Sequence, residues 1–182
     1  DAERCFLKVI PVYRATYGAA HLKIARLHSR LGQVYSAQER EEEALQEHAQ
    51  SMMIVSILGD ASLPQAVKAL VSCRLRFCQV LDNQGLHGQA LACLHESQRI
   101  LRDNGMREDH LMAGTLSAMA NAYFHLEDYS EAINKHKMAL HILRLEDNSG
   151  PGGKDTQYDV ATELMNLGMA YQSEGMLDEA GS

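Results

Sequence analysis

The chain has 182 residues, 46% of them apolar, and a formal charge of −7. That size and composition fit one ordinary domain with a sizeable core, and the acidic balance argues against generic nucleic-acid binding, whose proteins usually show a net basic footprint. No uncharged apolar run is long enough to span a membrane, and the N-terminal DAERCFLKVI carries acids where a signal peptide would carry only basic residues. The four cysteines (Cys5, Cys73, Cys78, Cys93) sit in apolar helical surroundings rather than at framework spacings, so a reduced, cytoplasmic setting is expected.

Proline is scarce, β-branched residues are thin, and Ala, Leu, Met, Gln, Glu and Arg are plentiful, so an all-α fold is expected. In chain order the breaks are TYGAAH at 16–21, LGDASLPQ at 58–65, DNGMREDH at 103–110 and EDNSGPGGKDTQ at 146–157. Between them the pattern predicts helix pairs at about 20–37 with 40–57, 64–83 with 87–103 and 110–126 with 129–146, then a helix at about 157–173 with an incomplete partner.

The pairs echo one another. LGQVYSAQEREEEA (31–44), FCQVLDNQGLHGQA (77–90), MANAYFHLEDYSEA (119–132) and LGMAYQSEGMLDEA (167–180) align in one register. A small residue (Gly32, Cys78, Ala120, Gly168) is followed by Tyr35, Leu81, Tyr123 or Tyr171, and then by Ala44, Ala90, Ala132 or Ala180. Small residues let paired helices approach to about 8–10 Å, with Gly32 facing Ala44 and Gly168 facing Ala180. Gly85 and Gly175 provide the turn in two pairs, and Glu39 and Glu127 hold the equivalent positions in the others. A pair still exposes an apolar stripe, which the next pair buries, so an α-solenoid of stacked antiparallel pairs is expected.

LGQVY…A and LGMAY…A resemble the tetratricopeptide repeat, and the signature alanines advance by 42, 46, 42 and 48 residues, as in longer repeats similar to those of kinesin light chain. The resemblance implies one array over 1–182. Within it, 1–18 would be the second helix of a preceding repeat, 20–58, 64–104 and 110–147 repeats, and 157–182 an incomplete repeat. The native protein is expected to continue both ways, and uncapped ends could self-associate. The aromatic position before Leu-Gly is replaced by His28, Arg74, Leu116 and Leu164, and the closing proline is missing.

In the family the first helix of each pair lines a concave groove. The resemblance therefore places Arg26, Arg30, Gln33, Arg76, Gln79, Asn121, Asn166 and Met169 there, together with Ser29, Ser72, Leu75, Ser117 and Met165. Asn121 and Asn166 fall where family members hold a peptide backbone, an amide offering donor and acceptor together, although both also read as plain surface asparagines.

No acid occurs from Cys5 to Gln38 or over 61–81, whereas EREEEALQE at 39–47 is strongly acidic. Basic first helices facing inward would attract an acidic or phosphorylated peptide; the alternative is that these charges pair between neighbouring helices. The third repeat's first helix has no full charge between Leu111 and Leu126, and the fourth offers Met165 and Met169, which suits an apolar anchor. Ser117 and Thr162 stand where chaperone-clamping members place lysine, which disfavours that ligand.

No enzyme, metal site or cofactor is expected. Cys73 and Cys78, or Cys93 and His95, have poor ligand spacing. His48 and His136 sit where other repeats carry Phe6 and Leu94 and read as packing residues. NSGPGGKDT at 148–156 lacks the phosphate-loop spacing and reads as a joint. The leading expectation is a non-catalytic adaptor binding a protein or peptide; the alternatives are a self-associating structural segment and a regulatory module of a larger enzyme.

Overall fold

A computed structural model describes residues 1–58, 64–107, 109–148 and 154–175. The regular elements among them are all helices: α1 (Ala2–Tyr17), α2 (Leu22–Ser36), α3 (Glu41–Ile57), α4 (Pro64–Asn83), α5 (His87–Asp103), α6 (His110–His125), α7 (Tyr129–Asn148) and α8 (Lys154–Ser173). Two compact units divide them, Asp1–Leu86 with α1–α4 and His87–Ser182 with α5–α8.

The expected break at 146–157 is too wide. Helix α7 runs to Asn148 and α8 already starts at Lys154, because no glycine or proline follows Gly153 until Gly168. The part of that break at 149–153 lies outside the described residues, as do Ala180 and its expected approach to Gly168.

The turns share one device. Glu39, Gly85 and Glu127 have φ of 60°, 75° and 62°, and the next N–H returns to the carbonyl of the signature residue: Arg40 to Tyr35 at 3.0 Å, Leu86 to Leu81 at 2.9 Å, Asp128 to Tyr123 at 3.0 Å. This is the left-handed helix ending that glycine adopts without steric cost. The two glutamates bear that cost, so Glu39→Gly and Glu127→Gly are each expected to raise stability by about 1 kcal/mol, measured by chemical denaturation.

In the first unit α2 packs against α1, α3 and α4. Ile24 and Ala25 meet Ile54 and Val55 in one cluster; Leu31 and Tyr35 meet Ile10, Ala44 and Val80 in another. Fully burying side chains such as Ile24 and Leu31 contributes roughly 1.5–3 kcal/mol each.

Gly32 differs from expectation. The group over it is the His48 imidazole, one turn beyond Ala44: a Cβ built on Gly32 would lie 2.8–3.0 Å from three ring atoms. The sequence register carried the alanine, while the bulk sits one turn later and fills the crossing. Across the same helices His28 Nδ1 lies 2.6 Å from Glu47 Oε2, and the Ser51 hydroxyl donates to the Ala25 carbonyl at 2.7 Å and lies 2.9 Å from Cys73 Sγ.

In the second unit α6 pairs with α7, α5 packs on α6, and α8 packs on α7. Ala132 and Ile133 bury against Ala170 and Tyr171. A polar group is buried beside them. Glu163 of α8 accepts from His136 Nδ1 of α7 at 2.7 Å and from the Ser117 hydroxyl of α6. A carboxylate only accepts, so the imidazole Nδ1 carries the proton. Of the cysteines, Cys73 and Cys78 are buried, whereas Cys5 is exposed, contrary to the expectation of apolar surroundings.

Candidate functional site

On α2, Arg26, Arg30 and Gln33 recur at helical spacing on one face, and on α4 Lys68, Ser72 and Arg76 recur every fourth residue. The structure brings these two rows together around a cavity of about 880 Å³ in the first unit. Its apolar wall comes from Phe6 of α1, Val34 of α2, Val55 of α3 and Ala69 and Cys73 of α4.

Among the described residues no carboxylate lines this cavity. Arg26, Arg30 and Arg76 enter no ion pair among the described residues. The acids of α3 that could have neutralised them are engaged elsewhere. Glu43 binds Arg40, which also reaches Glu3 at 2.9 Å and lies over the Tyr35 ring at 4.3 Å, while Glu47 takes His28. Among the described residues, then, these three arginines do not pair with a neighbouring helix.

The positive field has a witness in the core. His48, 1% exposed, has its pKa lowered to about 4, first by burial and then by the Arg76 charge, with Glu47 opposing. The ring is neutral at neutral pH, and its Nδ1 has no hydrogen-bond partner among the described residues.

Four of the eight expected groove residues thus line one cavity: Arg26, Arg30, Gln33 and Arg76. Gln79, almost one turn beyond Arg76 on α4, is exposed and outside the lining. Asn121 on α6 and Asn166 on α8 belong to the second unit and are half-buried; Met165 and Met169 are 61% and 50% exposed. Ser117, expected to face the groove, instead hydrogen-bonds inward to Glu163. Sequence reasoning left Lys68 out of the site, though its four-residue spacing from Ser72 and Arg76 was the signal for it. Phe6 and Val55 were unreachable, since they enter from helices that pair spacing assigns to the other face.

Among the described residues no cluster of three or more His, Cys, Asp or Glu is placed to hold a metal ion, and no helix is long and apolar enough to cross a membrane.

This arrangement, helical hairpins with a repeated turn and small-residue crossings, defines an all-α helical-repeat solenoid. Tetratricopeptide-repeat models match residues 1–54 and 115–150. No curated protein sequence matches the chain. Among solved structures it is similar to BtubC (BKLC) from P. vanneervenii, at 17% identity and a TM-score of 0.77 over 97% of this chain and 69% of that one. It is also similar to nearly identical TPR-like repeats of kinesin light chain type from Podosopora anserina, at 17% identity and a TM-score of 0.74 over 98% and 80%. A third neighbour is a Rap protein described in complex with Competence and Sporulation Factor, at 17% identity and a TM-score of 0.72 over 98% of this chain and 46% of that one. The chain spans about half the length of such Rap structures. It belongs to the tetratricopeptide-repeat family. In general terms that makes it a protein–protein interaction scaffold of a fold that is generally non-catalytic.

Proposed function

We propose that the chain is a cytoplasmic, non-catalytic adaptor that holds an extended segment of a partner protein, acidic and carrying an apolar anchor. Arg26, Arg30 and Arg76 take its carboxylates or phosphate, with Gln33 and Gln79 as flanking hydrogen-bonders. Asn121 and Asn166 hold main chain, and Met169 offers an adaptable apolar contact. The observation that carries this reading is a cavity of about 880 Å³ lined by three arginines that no acid among the described residues neutralises. A guanidinium left unpaired beside an apolar wall gains most from a ligand that brings both a forked anion and an apolar side chain. The Rap neighbour, described with a bound factor, supports a ligand-holding role for such a fold.

The test is selection from a library of acidic and hydrophobic peptides on the whole chain. The best binder is expected to lose at least about tenfold in affinity in Arg76→Glu, and to weaken in Asn121→Ala. A second readout comes from His48. Its pKa is held down partly by Arg76, so an anion seated on Arg76 must raise it, and the imidazole titration followed by NMR should move upward when the peptide binds. Absence of selective binders, with mass that grows with concentration, would favour the self-associating segment instead. The exposed Leu164, Met165 and Met169 on α8 are the observation behind that second reading.

A further inference from the structure

The second unit contains a cavity that the groove reading does not use. It has a volume of about 440 Å³ and lies among α5, the α5–α6 turn, α6 and α7. That volume is within the roughly 300–1,000 Å³ of small-molecule sites. Met112 and Leu116 from α6 and Met138 and Ile142 from α7 supply its apolar lining, and Arg102 and Arg107 supply its charged lining.

Gln98 is the informative residue. It lines the chamber, is only 7% exposed, and has no hydrogen-bond partner among the described residues. It also breaks the repeat. Counting from the signature alanines Ala2, Ala44, Ala90 and Ala132, the position eight residues on holds Ile10, Met52, Gln98 and Leu140. Three repeats put an apolar side chain there, with Ile10 and Leu140 buried. The amide is not among the polar atoms sealed from water without a partner, so it keeps an opening through which it can bond a polar group seated in the chamber. Neither Arg102 nor Arg107 has an ion pair among the described residues. The turn that sets them is closed by Gly105 at φ 73° and by the Met106 N–H on the Leu101 carbonyl at 2.9 Å.

We propose that this chamber binds a small free carboxylic acid with an unbranched apolar chain, its carboxylate held by Arg102, Arg107 and the Gln98 amide and its tail among Met112, Leu116, Met138 and Ile142. Forked guanidinium donors match a carboxylate, and methionines adapt to a flexible chain. The ligand is held without covalent change.

Octanoate, octanol and octylamine titrated into the whole chain by calorimetry, with the responding residues mapped by NMR, test this. Octanoate is expected to bind at one site about tenfold or more tightly than octanol, with octylamine weakest. The double variant Arg102→Gln/Arg107→Gln, both exposed positions, should lose about tenfold for octanoate with an unchanged melting temperature. Gln98→Leu should weaken octanoate several-fold, with octanol binding unchanged. Arg26→Gln/Arg30→Gln, in the other cavity, should leave octanoate binding as it was. Equal affinity for octanol, or loss of octanoate in the Arg26/Arg30 variant, would overturn the proposal. A short peptide with a free apolar C-terminus that binds the chamber more tightly than octanoate would also overturn it, by making the ligand a chain terminus.

Discussion

Glu163→Ala is expected to destabilise the second unit by about 3–5 kcal/mol, the order of cost for taking a buried, hydrogen-bonded acceptor away from two buried donors. Glu163 is 5% exposed and His136 1%, so truncation strands the His136 Nδ1–H and the Ser117 hydroxyl where water cannot replace the carboxylate. Glu163→Gln should cost much less, about 1–2 kcal/mol, because the amide oxygen accepts from His136 while the amide nitrogen donates to Ser117 Oγ. The repeats themselves supply an apolar control. Leu94 occupies the place of His136 and Leu27 that of Glu163 in other repeats. The combined variant Ser117→Ala/His136→Leu/Glu163→Leu should therefore recover most of the stability lost in Glu163→Ala. Urea denaturation with fluorescence and circular dichroism measures all three; equal losses for Ala and Gln would show that the cavity, not the buried charge, sets the cost.

This network matters for the site because it ties α8 to the α6–α7 hairpin. Asn166 lies one turn after Glu163 on the same helix, and the proposed main-chain contact depends on α8 being held in register. Glu163→Ala should accordingly weaken peptide binding as well as stability, whereas Asn166→Ala should weaken binding alone.

The helices were legible because their signals are local. Composition favoured helix, glycine and proline marked the joints, and the recurring small residue, tyrosine or leucine, and alanine fixed the register. The positive φ at Glu39 and Glu127 was readable only by analogy with Gly85, since glutamate carries no turn signal of its own. The basic half of the site was legible for the same reason as the helices: four-residue spacing puts Arg26 and Arg30 on one face. What stayed hidden needed contacts between helices distant in sequence. The His136–Glu163 pair joins residues 27 apart, and His48 over Gly32 required knowing how deeply α3 settles on α2. The chamber around Gln98 was equally invisible. Its one clue, a polar residue at an apolar repeat position, gains meaning only when no partner for it is found among the described residues.

Gly32→Ala is expected to cost about 1–3 kcal/mol, the range for overfilling a packed core. The new methyl would meet the side of a ring rather than the end of a flexible chain, with three imidazole atoms at 2.8–3.0 Å. His48 is 1% exposed, so the ring has little room to retreat. The third repeat holds Ala120 and His136 at the matching positions, and there the imidazole is bound to Glu163 rather than left without a partner on Nδ1. Combining Gly32→Ala with His48→Ala should therefore cost less than the sum of the single variants by about 1–2 kcal/mol, the coupling expected of side chains in direct contact. Gly88→Ala is the matched control: it lies near the start of α5 with open space where its Cβ would be, and should stabilise by a few tenths to about 1 kcal/mol. Additive losses for Gly32→Ala and His48→Ala would mean that the ring does not fill the crossing. A positive coupling would show that the first hairpin owes its close approach to a glycine matched to a neutral histidine, the same histidine whose titration reports what is seated on Arg76.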